Sequence, residues 1–130
     1  MIRVVAALIE RQGRLLICQR RRGDFFELQW EFPGGKVRPS ETPRAGLARE
    51  LREELGATGR IGPLVYRTRH QYKEYSSVIE IRFFRVSELF PAPRNRCAER
   101  MVWAPIGDLP RFDFLPADRG LVARLARKEL

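Results

Sequence analysis

A chain of 130 residues, 44% of them hydrophobic, can bury one core but has no room for a second domain, so residues 1–130 are read as a single unit. Its 25 Lys and Arg against 16 Asp and Glu give a formal net charge of +9. This points to anionic partners, yet arginine is dense only at Arg20–Arg22, which argues against the extended basic stripe with exposed aromatics that a nucleic-acid polymer needs.

In chain order, Val4–Glu10 and Arg14–Gln19 are apolar-rich segments separated by RQG, a pattern that predicts a β-hairpin. The opening VVAALI is too short, and too soon followed by ERQGR, to be a secretion signal, and no run is long enough to span a membrane. Cys18 lies in the second segment and Cys97 far away in RNRCAER. Without paired spacing they fit neither a zinc site nor a disulfide framework, so two free thiols in a reducing, cytoplasmic compartment are expected. RRGDFFEL then reads as a loop leading to a short strand at Trp30–Phe32.

The stretch GGKVRPSETPRAGLARELREELGA, Gly34 to Ala57, concentrates acid in an otherwise basic chain. Thr42 suits an N-cap, Pro43 the first helical position and Gly56 the stop, which predicts a helix from Pro43 to about Leu55. At about 100° per residue, Ala48, Leu51 and Leu55 form an apolar stripe, with Glu50, Glu53 and Glu54 on a face roughly 120° away. A solvated helix face salt-bridged to Arg49 and Arg52 would account for these glutamates by themselves. The preceding FPGGK shifts the balance, because two glycines let backbone approach a ligand closely and a lysine suits phosphate. Hard carboxylate oxygens in this setting suit Mg²⁺ or Mn²⁺ rather than zinc, with a diphosphate supplying further ligand oxygens.

Beyond the helix, PLVYRTRHQY and SVIEIRFFRV read as two strands, the second alternating at Ile79, Glu80, Ile81 and Arg82. RMVWAPI is another strand. The tail from Asp118 to Lys128 places Leu121, Val122 and Leu125 at helical spacing, with Asp118 as a candidate N-cap. His70 stands apart from any His or Cys pattern and is read as a structural or rim residue. The whole is a mixed α/β domain.

Gly35, Glu41, Arg49, Glu50, Leu51, Glu53, Glu54, Gly56 and Ala57 match the Nudix box, G-x5-E-x7-R-E-U-x-E-E-x-G-U with U a bulky aliphatic residue. Only Ala57 departs, being smaller than the usual aliphatic; seven non-aliphatic positions agree at fixed spacing, which makes the match specific. WEFPGGKV and the late FLPADRGLVARL extend the resemblance to the MutT-type branch, and so to nearly the whole chain. The resemblance implies an α/β/α sandwich with a central mixed β-sheet. It also implies metal-dependent hydrolysis of nucleoside triphosphates, among them oxidised or modified ones, to monophosphate and pyrophosphate.

Carried over position by position, Glu50, Glu53 and Glu54 resemble the glutamates that bind divalent metal, joined by the carbonyl of Gly35, with one of the glutamates acting on the attacking water. Glu41 and Arg49 resemble the pair that braces the loop against the helix. Lys36 and Arg20 are candidates for phosphate oxygens, and Glu99 in CAERMVW for a further metal or water ligand from outside the box. Asp118 matches a position that faces the nucleobase. An Asp there accepts from a base amino group, and leaves cytosine nucleotides as candidates beside 8-oxoguanine. Trp30, Phe83 and Phe84 are candidate stacking surfaces, with Phe83 preferred. Tyr72 and Tyr75 lie where some relatives that cleave dinucleoside polyphosphates or nucleotide sugars use an aromatic residue, so that activity is the alternative. A non-catalytic ligand-sensing or RNA-binding module is the remaining one, opposed by the full set of box carboxylates. The expected partner is a nucleotide, with neither membrane nor nucleic-acid polymer, and the sequence assigns no oligomeric state.

Overall fold

The computed structural model describes residues 1–74 and 76–130, so the Tyr75 position lies outside the described residues. Seven strands are present: β1 (Ile2–Arg11), β2 (Arg14–Gln19), β3 (Trp30–Glu31), β4 (Gly34–Lys36), β5 (Thr58–His70), β6 (Ile79–Phe90) and β7 (Arg100–Pro105). Two α-helices accompany them, α1 (Pro43–Leu55) and α2 (Arg119–Ala126), with 3-10 turns at Ile106–Arg111 and Pro116–Asp118. The strand order is β3-β2-β1-β6-β5, with β4 added to β1 and β7 to β2. β1 and β6 run parallel while the other pairs are antiparallel, which makes the sheet mixed.

Alternation along the central strands feeds two separate cores, one per face. Ala6 and Leu8 of β1, Leu15 and Ile17 of β2, and Ile81 and Phe83 of β6 pack with Leu121, Val122 and Leu125 of α2. Val5, Ala7 and Ile9 of β1, Leu16 of β2, and Phe84 and Val86 of β6 pack with Leu47, Leu51 and Leu55 of α1. Adjacent residues face opposite sides of a strand, so the neighbouring Phe83 and Phe84 serve different layers. The result is the expected α/β/α sandwich.

The hairpin, the helix limits and the late strands follow the sequence pattern. α1 is closed by its N-cap, where Thr42 Oγ1 accepts from the Ala45 N–H at 3.1 Å, and by Gly56 in the left-handed region at φ 64°. Two details differ. The sheet-facing line of α1 runs through Leu47, Leu51 and Leu55, and Ala48 is only half-buried, because a four-residue step keeps nearer one face than the step from Ala48 to Leu51. The glycine segment is also not a free loop, since Gly34–Lys36 pairs with Val4–Ala6 of β1. A Cβ on Gly34 would overlap the Val5 carbonyl oxygen, so only glycine lets β4 lie this close.

Leu51 has no exposed surface and sits between α1 and the sheet. Leu51→Ala is expected to cost about 2–5 kcal/mol of stability, read by urea denaturation; a loss under about 1 kcal/mol would show that α1 is not anchored through this side chain.

Candidate active site

The side chain that organises the site is Arg49, which projects from α1 and is 9% exposed. Its Nε donates to Glu41 Oε2 at 2.6 Å and its Nη2 to Glu41 Oε1 at 2.9 Å. Nη2 also donates to the Lys36 carbonyl at 3.0 Å. Nη1 donates to Glu50 Oε1 at 2.9 Å and Glu53 Oε2 at 3.2 Å. Glu41 additionally accepts the Arg38 N–H at 2.8 Å. The expected brace between loop and helix is therefore a bidentate Arg–carboxylate pair that also grips β4 and two of the other box glutamates.

The carboxylates around it differ by environment. Hydrogen bonds from Arg49 and then from the Arg38 N–H hold Glu41 down at about 2. Burial pushes Glu54 up to about 8, helped by the charge of Glu50 and opposed by a 3.0 Å hydrogen bond from the Gly34 N–H. Burial also raises Glu50, with Arg49 opposing. Gly35 makes room for that crowding, since a Cβ there would meet the Glu50 carboxyl carbon at 2.5 Å. Glu53 sits apart, its half-exposed side chain shared between Arg49 and Arg38. Among the described residues no three His, Cys, Asp or Glu side chains already converge as a ligand set.

A cleft of about 350 Å³ opens beside these groups. Gly34, Gly35, Lys36, Glu50 and Glu54 form its polar wall; Phe26, Phe32, Tyr72, Ile79, Ile81 and Leu115 form an apolar one, together with Asp118. Arg20 and Glu31 also line it, joined by an ion pair at 3.3 Å, while Arg20 Nε donates to the Phe25 carbonyl at 2.7 Å. The charge of Glu31 reaches both walls, adding to the raised pKa of Glu54 and to that of Asp118.

Asp118 is not a helix cap. It closes the 3-10 turn in a helical conformation, makes no side-chain capping bond, and is 4% exposed. Burial, then the charge of Glu31, lifts its carboxyl well above the usual range, so the neutral form, which both donates and accepts, is favoured. Tyr72 supports this wall: its hydroxyl accepts the Ala117 N–H at 3.0 Å, its ring lies 4.7 Å from Phe26, and His70 stacks behind it at 4.4 Å.

Three aromatic expectations are corrected. Phe83 is fully buried, with its ring centroid 6.1 Å from Phe32 and 5.9 Å from Tyr66, and it does not line the cleft. Its inward position in β6 gives it to the α2 core. Phe84 belongs to the α1 layer, and Trp30 packs edge-on to Phe112 at 5.1 Å. Phe26, Phe32 and Tyr72 supply the rings instead. Glu99 also lies off the cleft lining; its carboxylate accepts the Arg22 N–H at 3.3 Å, drawn there by the pairing of its own backbone with Gln19.

Glu31 went unassigned in the sequence, although strand alternation carries the signal: with Trp30 buried, its neighbour must face the other side. Cys18 and Cys97 are free thiols, as expected. Among the described residues no helix is long and apolar enough to cross a membrane.

Residues 1–125 match the NUDIX domain family. Over 118 residues the chain is 36% identical to the CTP pyrophosphohydrolase of Escherichia coli, covering 91% of this chain and 86% of that one. Over 125 residues it is 34% identical to the 8-oxo-dGTP diphosphatase of Haemophilus influenzae, covering 95% and 90%. The solution structure of the E. coli ORF135 protein superposes with a TM-score of 0.87 at 32% identity, covering 99% of this chain and 91% of that one. Box, sandwich and whole-chain likeness agree: the chain belongs to the Nudix hydrolase family.

Proposed function

We propose that this chain hydrolyses nucleoside triphosphates to the monophosphate and pyrophosphate, using Mg²⁺ or Mn²⁺. The observation that carries this reading is the two-sided cleft, with Glu50, Glu54 and Lys36 on one wall and Phe26, Tyr72 and Asp118 on the other. Phosphate fits the first wall and a nucleobase the second.

Nudix hydrolases generally use a divalent metal, and the donors here suit one. Glu50 and Glu54 are oxygen ligands crowded together beside Gly35, a net negative site whose raised carboxyl pKa values record the repulsion a cation relieves. Glu50, Glu54 and the Gly35 carbonyl would hold it, with Glu53 released from Arg49 to join them. Bound there, the ion supplies charge neutralisation for the phosphates and the leaving group. Lys36 holds a phosphate oxygen, and Arg20, steadied by Glu31, stands where a second can be held. Arg49 and Glu41 orient the box glutamates, one of which takes the proton of the attacking water. Asp118 reads the polar edge of the base, with cytosine and 8-oxoguanine nucleotides the leading candidates from the relatives' activities.

A nucleotide panel in Mg²⁺ tests the reading: monophosphate and pyrophosphate are the expected products, and Glu53→Gln with Glu54→Gln should remove most turnover while the fold persists. Orthophosphate release, or near-normal turnover in the double variant, would reject it.

Metal binding has a readout independent of activity. With EDTA present, the Glu54 carboxyl titrates at about 8 in the fold against 4.5 as its ordinary value. The folded state thus holds the extra proton between them, and this contribution to stability is lost as pH rises through that window. The melting temperature should fall accordingly, and Mg²⁺ should raise it more at the upper end of the window than at the lower. An equal Mg²⁺ shift in wild type and the double glutamine variant would locate the ion elsewhere.

For the base, Asp118→Asn should change the ranking of cytosine, guanine and 8-oxoguanine triphosphates by about ten- to a hundredfold in kcat/KM. Because Asp118 caps nothing, an unchanged ranking would leave selectivity to Phe26 and Tyr72.

A further inference from the structure

A second cavity, of about 520 Å³, shares Arg20, Glu31 and Glu54 with the cleft. These three residues form a waist between the two spaces. Beyond it the second cavity is lined by Arg21, Arg22 and Asn95, among others, and by no aromatic side chain. A second nucleoside would find no ring to stack on, whereas phosphate would find two guanidinium groups. Their availability separates them from Arg20. Arg20 is committed to Glu31 and to the Phe25 carbonyl, while neither Arg21 nor Arg22 forms a side-chain ion pair with a described carboxylate. Arg22 is fixed through its backbone, whose N–H donates to Glu99. Arg21 is held by a turn in which its carbonyl accepts the Asp24 N–H at 3.3 Å. Its charge is felt inside the cavity: burial and then Glu54, Glu31 and Glu50 push the Cys97 thiol up, and Arg21 pulls against them.

We propose that this second cavity is the leaving-group subsite, in which Arg21 and Arg22 bind the two terminal phosphates of the triphosphate. The proposal rests on the reaction given above. With the nucleoside in the cleft and the terminal phosphates past the waist, the inner phosphorus stands beside Glu54. Water adds its oxygen to that phosphorus, one proton passes to a box carboxylate, and the broken P–O bond leaves its electron pair on pyrophosphate, already seated on the two arginines. The absence of rings beyond the waist also disfavours dinucleoside polyphosphates, whose second base would have to lie there.

The test compares wild type with Arg21→Ala/Arg22→Ala, measuring pyrophosphate binding by calorimetry in Mg²⁺ alongside steady-state kinetics. Both side chains are exposed, so the melting temperature should hold. Pyrophosphate affinity should weaken about tenfold or more, as for lost charge-assisted hydrogen bonds, and KM for the triphosphate should rise, while inhibition by the monophosphate stays unchanged. Arg21→Lys/Arg22→Lys should recover part of the loss. Equal pyrophosphate affinity in wild type and the alanine variant overturns the subsite even if the reaction is confirmed. Equal weakening of monophosphate and pyrophosphate also overturns it, by showing a general field effect. Wild-type release of orthophosphate overturns the underlying reaction, and the leaving-group role with it.

Discussion

Everything at the acidic wall depends on one guanidinium. The five N–H groups of Arg49 meet five acceptors: two oxygens of Glu41, one each of Glu50 and Glu53, and the Lys36 carbonyl. Because those acceptors come from the loop, the helix and β4, a single planar group sets the distance between the glycine backbone and the glutamates. Lysine could not do this, since it offers a point charge and three donors without the fork. Removing Arg49 would also leave several carboxylates close together with no compensating charge, which costs far more than the pairs contribute when intact.

The second constraint is steric and lies in the glycines. Gly34 lets β4 press against β1, and Gly35 leaves room for the Glu50 carboxyl. Packing from the sheet side and hydrogen bonding from the helix side thus converge on the same few atoms. Within that frame, glutamates of one chemical type divide by environment, Glu41 held low by hydrogen bonds from Arg49 and Glu54 driven high by burial. Such separation of like groups is how a site obtains an orienting carboxylate and a ligand carboxylate from one residue type. The basic character of the chain fits the same picture, because its positive charge falls around the acidic wall at Arg20, Arg21, Arg22, Lys36 and Arg38 rather than inside it.

Much of this was legible without coordinates, because it is written in local rules. Thr42, Pro43 and Gly56 bracket α1 through capping and backbone preference. The spacing of Glu50, Glu53 and Glu54 puts them on one helical face whatever the rest of the chain does. Strand alternation in β1 and β6 predicts a sheet covered on both sides. The box as a whole is a contiguous stretch, so its residues are brought together by one helix and the loop before it, and the assigned brace of Glu41 and Arg49 follows.

What the sequence determined by itself is therefore the helix with its caps, the paired segments and the acidic face. What only the tertiary structure decided is which distant residues share that face. Asp118 read equally as a cap or a base contact until packing of the 3-10 turn turned its carboxyl into the cleft wall. Phe83 and Phe84 differ only in the side of β6 they occupy, and that follows from register with β1 and β5. Glu99 depends on how β7 pairs with β2, which draws it toward Arg22. Glu31 faces both cavities because β3 is short and the chain turns straight into β4. Each of these depends on contacts between segments far apart in the chain, where no periodicity or motif spacing reaches, and so only the closed sheet could place them.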